Sequence, residues 1–322
     1  MIRRQRWGGT EAIVLSNDVL RVVAIPELGG KIASLVRQQS GYEYFLQAAP
    51  VKGYQQLTYG VDFETGDLSG FDECLPTIAK CEYPLEPFLG NKLPDHGDVW
   101  SLPAEAETSG AEVRFVTSLI SLPLRFTKSV RLQGNCIRLD YEVANLGRST
   151  VKYLWSAHPL LNVQSQAEIV LPPEVREVEV GWSKDDHLGQ PGNLCSWPLT
   201  RGRSGQVVDL SKVLGPSEGT ADKLFTPRLL HGFCGLLLPE INEGISFHFD
   251  PTIIPYLGIW ICQGGWPSSR IEKQFTVALE PCTGRPDSLD EAIKREECLV
   301  VEGYRRQQWW LRIEVAHGRP RC

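Results

Sequence analysis

The sequence predicts an all-β protein built as a large antiparallel β-sandwich with few short helices. Three observations carry this. Apolar and polar residues alternate with period two along most of the chain, helical periodicity is scarce, and the 30 glycines and 22 prolines fall between the alternating runs as punctuation. In Ile137-Arg138-Leu139-Asp140-Tyr141-Glu142-Val143 every second residue is apolar, as a strand with one wet face requires. The same reading predicts strands over 19–25, 113–120, 125–132, 151–155, 245–250, 275–280 and 309–315, all rich in β-branched and aromatic residues. Ser288-Leu289-Asp290-Glu291 has the pattern of a capping box and predicts one short helix to about residue 298. Polar, loop-rich 185–217 reads as an excursion over the binding face. No internal repeat is present, which disfavours a propeller.

Composition bounds the rest. A chain of 322 residues with 42% hydrophobic and 22% charged residues can bury a substantial core, and without a low-complexity linker it reads as a single domain, 1–322. Net charge is −6 and the 33 basic residues are dispersed, which gives no footprint for a phosphate backbone and argues against nucleic acid. The start Met-Ile-Arg-Arg-Gln-Arg-Trp never reaches a signal-type apolar segment, and prolines break the longest apolar runs, so the expectation is a cytoplasmic protein with no membrane association. Nine cysteines at 74, 81, 136, 195, 234, 262, 282, 298 and 322 form no C-x-x-C pair and read as buried free thiols, with no metal site.

Three segments carry chemistry: Asp95-His96-Gly97-Asp98-Val99-Trp100, Ser156-Ala157-His158-Pro159 and Ala278-Leu279-Glu280-Pro281-Cys282-Thr283-Gly284. Together they supply two imidazoles and a carboxylate, groups that can move protons at neutral pH. Because Phe275, Val277 and Leu279 share one face, Glu280 lies on the other, at the strand end before Pro281. The plain alternative is a solvated glutamate. Pro159 extends the backbone at His158 and fixes its direction, whether as an acid or as a histidine bonded within a turn. His96, between two aspartates, is either a surface turn residue or a ligand contact. Asp72 and Glu73 are adjacent on a strand and point to opposite faces, so at most one meets a ligand. Trp100, Trp260 and Trp266 serve either to fill the core or to stack on a ring, and the segment 260–266 is the strongest candidate for stacking.

In this order the three segments resemble the galactose mutarotase or aldose 1-epimerase superfamily, and Pro26-Glu27-Leu28-Gly29-Gly30-Lys31-Ile32-Ala33-Ser34-Leu35 is similar to its first hairpin. The resemblance covers most of the chain. It implies a sugar bound in a cleft on one concave sheet, His158 protonating the ring oxygen, Glu280 taking the proton of the anomeric hydroxyl, and His96 helping to hold the ring, with no cofactor. That chemistry needs an ionised carboxylate and a protonated imidazole together near pH 7. Gly90-Asn91-Lys92-Leu93-Pro94 stands where an Asn-Arg pair is common in such enzymes, and Leu160-Leu161 replace aromatic residues, which marks a divergent branch. Lys223 and Asp72 join Trp260 as candidates for further substrate contacts. The expected partner is a small-molecule sugar, with a homodimer admitted as the assembly. Two other readings stand beside the epimerase: a carbohydrate-binding module that turns nothing over, and a phosphosugar epimerase using cations among Arg125, Lys128, Lys223 and Arg270.

Overall fold

Two large antiparallel sheets arise from the alternating runs. A computed structural model describes residues 1–48 and 53–322. Eleven strands form one sheet, in the order Ile2–Trp7, Thr10–Ser16, Leu20–Ile25, Lys31–Arg37, Phe71–Cys74, Ser156–Asn162, Phe275–Cys282, Tyr256–Gln263, Thr220–Phe225, Glu177–Ser183 and Leu194–Ser196. Eight form the other, in the order Glu168–Val170, Phe233–Leu238, Glu243–Phe249, Arg306–His317, Cys136–Asn145, Leu124–Gln133, Glu112–Ser118 and Glu105–Ser109. Alternation sends neighbouring side chains to opposite faces, so Val277 and Leu279 of the first sheet meet Leu139, Leu311 and Ile313 of the second in one dry core. Each such side chain contributes about 1.5–3 kcal/mol by leaving water.

The other face of the eleven-stranded sheet carries a smaller apolar cluster. Leu160 and Ala278, from the two central strands, pack there with Phe63, Trp100 and Leu68 from connections that rise over the sheet. This cluster floors the cavity described below.

The expected 151–155 strand divides. Val151–Tyr153 pairs with Leu299–Val301, whereas Ser156–Asn162 enters the large sheet, and the buried Leu154 and Trp155 make the crossing. The 275–280 strand extends through Pro281 to Cys282, so Glu280 lies inside a strand and not at its end. The helix is shorter than expected, Leu289–Lys294. Ser288 occupies the N-cap position, but its hydroxyl bonds the Asp290 carboxylate rather than a backbone N–H, and Glu296 at φ 58° stops the chain from continuing. Within 185–217, Leu194–Ser196 extends the large sheet and Leu199–Arg201 pairs with Val207–Asp209. No residue of this stretch lines the cavity, which corrects its expected place over the binding face. All nine cysteines are free, with Cys322 exposed. Among the described residues no helix is long and apolar enough to cross a membrane.

Candidate active site

Register sets the first two groups side by side. Ser156 faces Cys282 and Leu160 faces Ala278, which places His158 opposite Glu280; on its other side His158 faces Asp72. Pro159 and Pro281 stand on these two strands where the ladder between them is interrupted, because neither ring has an N–H to donate. His158 Nε2 lies 3.9 Å from Glu280 Oε1.

The next two strands complete the polar end. Gly258 faces Glu280, and two residues along that strand Trp260 faces Lys223, which lies between it and Trp182. The Lys223 ammonium donates to Glu280 Oε2 and sits 3.4 Å from Asp287 Oδ1. Asp287 itself is fixed through its backbone, whose carbonyl accepts the N–H groups of Ile78 and Ala79 at 3.0 and 2.9 Å. With Oε2 occupied, Glu280 Oε1 is the free acceptor: it is buried and has no hydrogen-bond partner among the described residues.

His96 enters from the opposite rim on a turn with a left-handed backbone. His96 has φ 58° and Gly97 φ 70°, and a Cβ on Gly97 would fall 2.2 Å from the Leu75 carbonyl oxygen, so only glycine fits. The Asp98 carboxylate anchors the turn by accepting from the N–H groups of Ile120 and Ser121 at 2.7 and 2.8 Å. Asp95 braces the ring, its Oδ1 3.0 Å from His96 Nδ1 while Oδ2 accepts the Phe63 N–H at 2.7 Å. Phe63 stacks on the imidazole at 3.9 Å between centroids, and the His158 ring stands edge-on to it at 4.9 Å.

These groups share a cavity of about 230 Å³. Its remaining wall is largely apolar. Trp260 is tilted against Trp182 and perpendicular to Trp266, each at 5.8 Å, and Leu160 and Ile78 fill between. Gln274 adds one buried amide, whose Nε2 donates to the Leu68 carbonyl at 3.1 Å and whose Oε1 is unpartnered among the described residues. Among these residues no group of three His, Cys, Asp or Glu side chains is placed to hold a metal.

The charges follow from burial and neighbours. Burial pushes the Glu280 carboxyl above its usual range, against the pull of Lys223, and the Asp287 carboxylate adds to the rise. Burial would lower Lys223, but Asp287 and Glu280 together hold it above its ordinary value, so it stays an ammonium. His158 is driven well below 6.5 by burial, then by His96 and Lys223. Burial and the nearby ammonium group thus favour the neutral ring, whereas the Glu280 carboxylate 3.9 Å from Nε2 favours the charged one.

His96, His158, Glu280, Lys223 and Trp260 thus border one cavity. Asp72 does not. It points to the same face as His158 but is 1% exposed and lies beneath, where Lys31 Nζ is 3.0 Å from its Oδ2 and also holds Asp67 and the Ser69 carbonyl. Glu73 faces the other way, into the core, on Lys128 at 3.1 Å and the Tyr141 hydroxyl at 3.0 Å. The cations considered for a phosphate fail to converge: Lys128 is sealed between the sheets, Arg125 belongs to the eight-stranded sheet, and Arg270 borders a separate hollow with Asp62 and Glu64. Only Lys223 reaches the cavity, already paired. Phe63, Trp182, Gln274 and Asp287 line the site without having been singled out from sequence.

No protein-family model matches the sequence, and no curated protein matches it. Solved structures do. A galactose mutarotase-like protein from Lactobacillus casei superposes with a TM-score of 0.70 at 17% identity, over 95% of this chain and 100% of that one. A galactose mutarotase related enzyme from Lactobacillus acidophilus gives 0.67 at 15%, over 95% and 97%. The Slr1438 protein of Synechocystis sp. gives 0.69 at 16%, over 98% and 97%. The chain has the galactose mutarotase-like fold, an all-β supersandwich.

Proposed function

We propose that the protein is a cofactor-independent aldose 1-epimerase that interconverts the anomers of a hexose or a related neutral sugar. The observation that carries this is Glu280 Oε1, a buried acceptor with no partner among the described residues, set beside two imidazoles in a cavity of about 230 Å³ with an indole wall. Charge-assisted pairing of Oε2 with Lys223 orients the carboxylate and leaves Oε1 to take a proton from the anomeric hydroxyl. An imidazole of the facing pair supplies a proton to the ring oxygen, the ring opens to the aldehyde, and rotation about C1–C2 with reclosure gives the other anomer. Trp260 and Trp266 offer flat apolar faces to the C–H side of a pyranose. The cavity's charged side chains, Lys223, Glu280 and Asp287, leave no spare cation, which favours a neutral sugar over a phosphorylated one.

Saturation-transfer NMR across a panel of free sugars tests the reading. At least one sugar should exchange anomers far faster than in buffer, and Glu280→Gln should remove that acceleration without changing the folded state. Tight binding by calorimetry with no acceleration for any sugar would instead make this a carbohydrate-binding module.

A further inference from the structure

Glu280 divides the cavity into two sides. Its strand runs between that of His158 and that of Gly258, with Lys223 one strand further on. The two imidazoles, 4.9 Å apart between ring centres, therefore border one side of the carboxylate, and the Lys223–Asp287 pair borders the other. A sugar ring gives its anomeric carbon two neighbours, the ring oxygen and C2. With the anomeric hydroxyl on Glu280 Oε1 and the ring oxygen turned to the imidazole that protonates it, C2 and its hydroxyl turn toward Lys223 and Asp287. The neighbouring lining there is Trp182, Trp260 and Ile78, whose side chains carry no acceptor.

Asp287 is equipped for this contact. It is the most open of the cavity's three charged side chains, 29% exposed against 8% for Lys223 and 1% for Glu280. Its ion pair uses Oδ1, 3.4 Å from Lys223 Nζ, which is long for a hydrogen bond and leaves Oδ2 for a ligand. The turn is held by the main chain: the Asp287 carbonyl accepts from the Ile78 and Ala79 N–H groups and from the Thr77 hydroxyl at 3.3 Å. The side chain has no part in those bonds. Lys223 spends one N–H on Glu280, and an ammonium has three. A hydroxyl both accepts and donates, so the one on C2 can accept from Lys223 and donate to Asp287 Oδ2. A methylene at C2 does neither, and an ammonium there meets Lys223 as a like charge.

We infer that Asp287 is a specificity-determining residue that holds the 2-hydroxyl of the sugar, so that the substrate is an aldose with a free hydroxyl at C2 and not a 2-deoxy or 2-amino sugar; this rests on the epimerase reading. Asp287 takes no proton in the reaction and stays outside the bond changes at C1. The plain alternative is a counter-ion that only keeps Lys223 in place. The two roles differ in one measurable respect: a counter-ion acts on every sugar alike, whereas a contact to the 2-hydroxyl acts on the sugars that carry it.

The test is a cycle of two sugars and two proteins. Anomer exchange is followed for D-galactose and D-glucose, or for whichever aldose of the panel the wild type turns over fastest, each beside its 2-deoxy form. The wild type should prefer the 2-hydroxy sugar about 10- to 100-fold in kcat/KM, as a hydrogen bond to a charged group gives. In Asp287→Ala the preference should shrink to within about threefold, because the parent sugar loses more than its 2-deoxy form. The intrinsic reactivities of the two sugars cancel when the proteins are compared. Asp287→Asn keeps the shape and one carbonyl acceptor and should retain part of the preference; it carries the test if the alanine variant does not fold. Equal losses on both sugars, or a preference unchanged in the variants, overturns this role and leaves the epimerase reading standing. A wild type that accelerates no sugar fails the epimerase reading, and calorimetry with the same pairs then reads the contact by itself. Tighter binding of the 2-hydroxy form that is lost in Asp287→Ala supports the contact, and equal binding of both forms sinks it.

Discussion

Lys223 reaches Glu280 over the bare backbone of Gly258. A Cβ at Gly258 would stand 3.2 Å from both Cε and Nζ of Lys223 and 3.3 Å from Glu280 Oε2, so the absence of a side chain on the middle strand lets the two outer ones join. The Gly258 backbone is that of an ordinary strand, with no left-handed φ, and alanine is sterically admissible there if the paired side chains shift by a few tenths of an ångström. Gly258→Ala is therefore expected to fold with a small change in Tm and to lose catalysis up to about 10-fold, because even a small displacement of the base costs alignment. Thermal unfolding followed by the anomer-exchange assay reads both quantities.

Breaking the pair outright has a different signature. Lys223→Met leaves Glu280 buried, charged and without its cation, and should cost about 3–5 kcal/mol in urea denaturation. Adding Glu280→Gln removes the orphaned charge and should recover most of that loss. A double variant as unstable as the sum of the two single ones would mean that Lys223 and Glu280 do not stabilise each other.

The His96 turn depends on Gly97. Alanine there requires φ near 70° and brings a methyl group to 2.2 Å from the Leu75 carbonyl, which the turn cannot absorb while Asp98 N–H still donates to that same oxygen at 2.7 Å. Gly97→Ala should destabilise the fold by more than about 3 kcal/mol or move His96 out of the cavity. Tm and the His96 ring resonances distinguish these outcomes from the null result of an unperturbed protein.

Some of this was legible in the chain and some was not, for reasons that lie in range. Glu280 declares its face because Phe275, Val277 and Leu279 must go to the core, a deduction that needs only neighbours along one strand. The separation of Asp72 from Glu73 follows in the same way. Their partners do not: Lys31 and Lys128 come from other strands, and only the register reveals that both carboxylates are consumed in ion pairs. Asp287 and Phe63 sit outside the strands in segments whose sequences carry no pattern, Trp182 is placed by its cross-strand partner Lys223, and the Gln274 amide is held by the distant Leu68 carbonyl. The surroundings of His158 were hidden for the same reason, since the motif around it says nothing about the ammonium group that sheet pairing brings near.

The indole wall makes a prediction about affinity. Trp260 stands at the corner of the three tryptophans, touching both others, and its face borders the cavity while its strand neighbour Ile261 packs into the core. Trp260→Ala should raise KM about 3- to 10-fold, the equivalent of about 0.5–1.5 kcal/mol, and leave kcat within a factor of about two, because stacking holds the sugar equally in both states. A fall in kcat with KM unchanged would place Trp260 in the chemistry and not in binding.

The depressed His158 also leaves a mark on stability. In the unfolded chain this ring takes up a proton near pH 6.5, whereas in the folded protein burial keeps it neutral to a much lower pH. Below about 6.5 the unfolded state therefore binds more protons, and the folded state loses up to about 1.4 kcal/mol per pH unit from this ring alone; above 6.5 the contribution is constant. Asp72 and Asp222 act in the opposite sense, since burial raises both to about 7 and makes the folded state the better proton binder between roughly pH 4 and 7. The wild-type curve mixes these effects, so the informative quantity is the difference from His158→Gln. Urea denaturation from pH 7.5 down to 5 should show the variant gaining on the wild type steadily once pH drops below about 6.5. A difference that stays flat across that range would mean that the ring charges inside the fold, and with it that His158 is free to act as the acid.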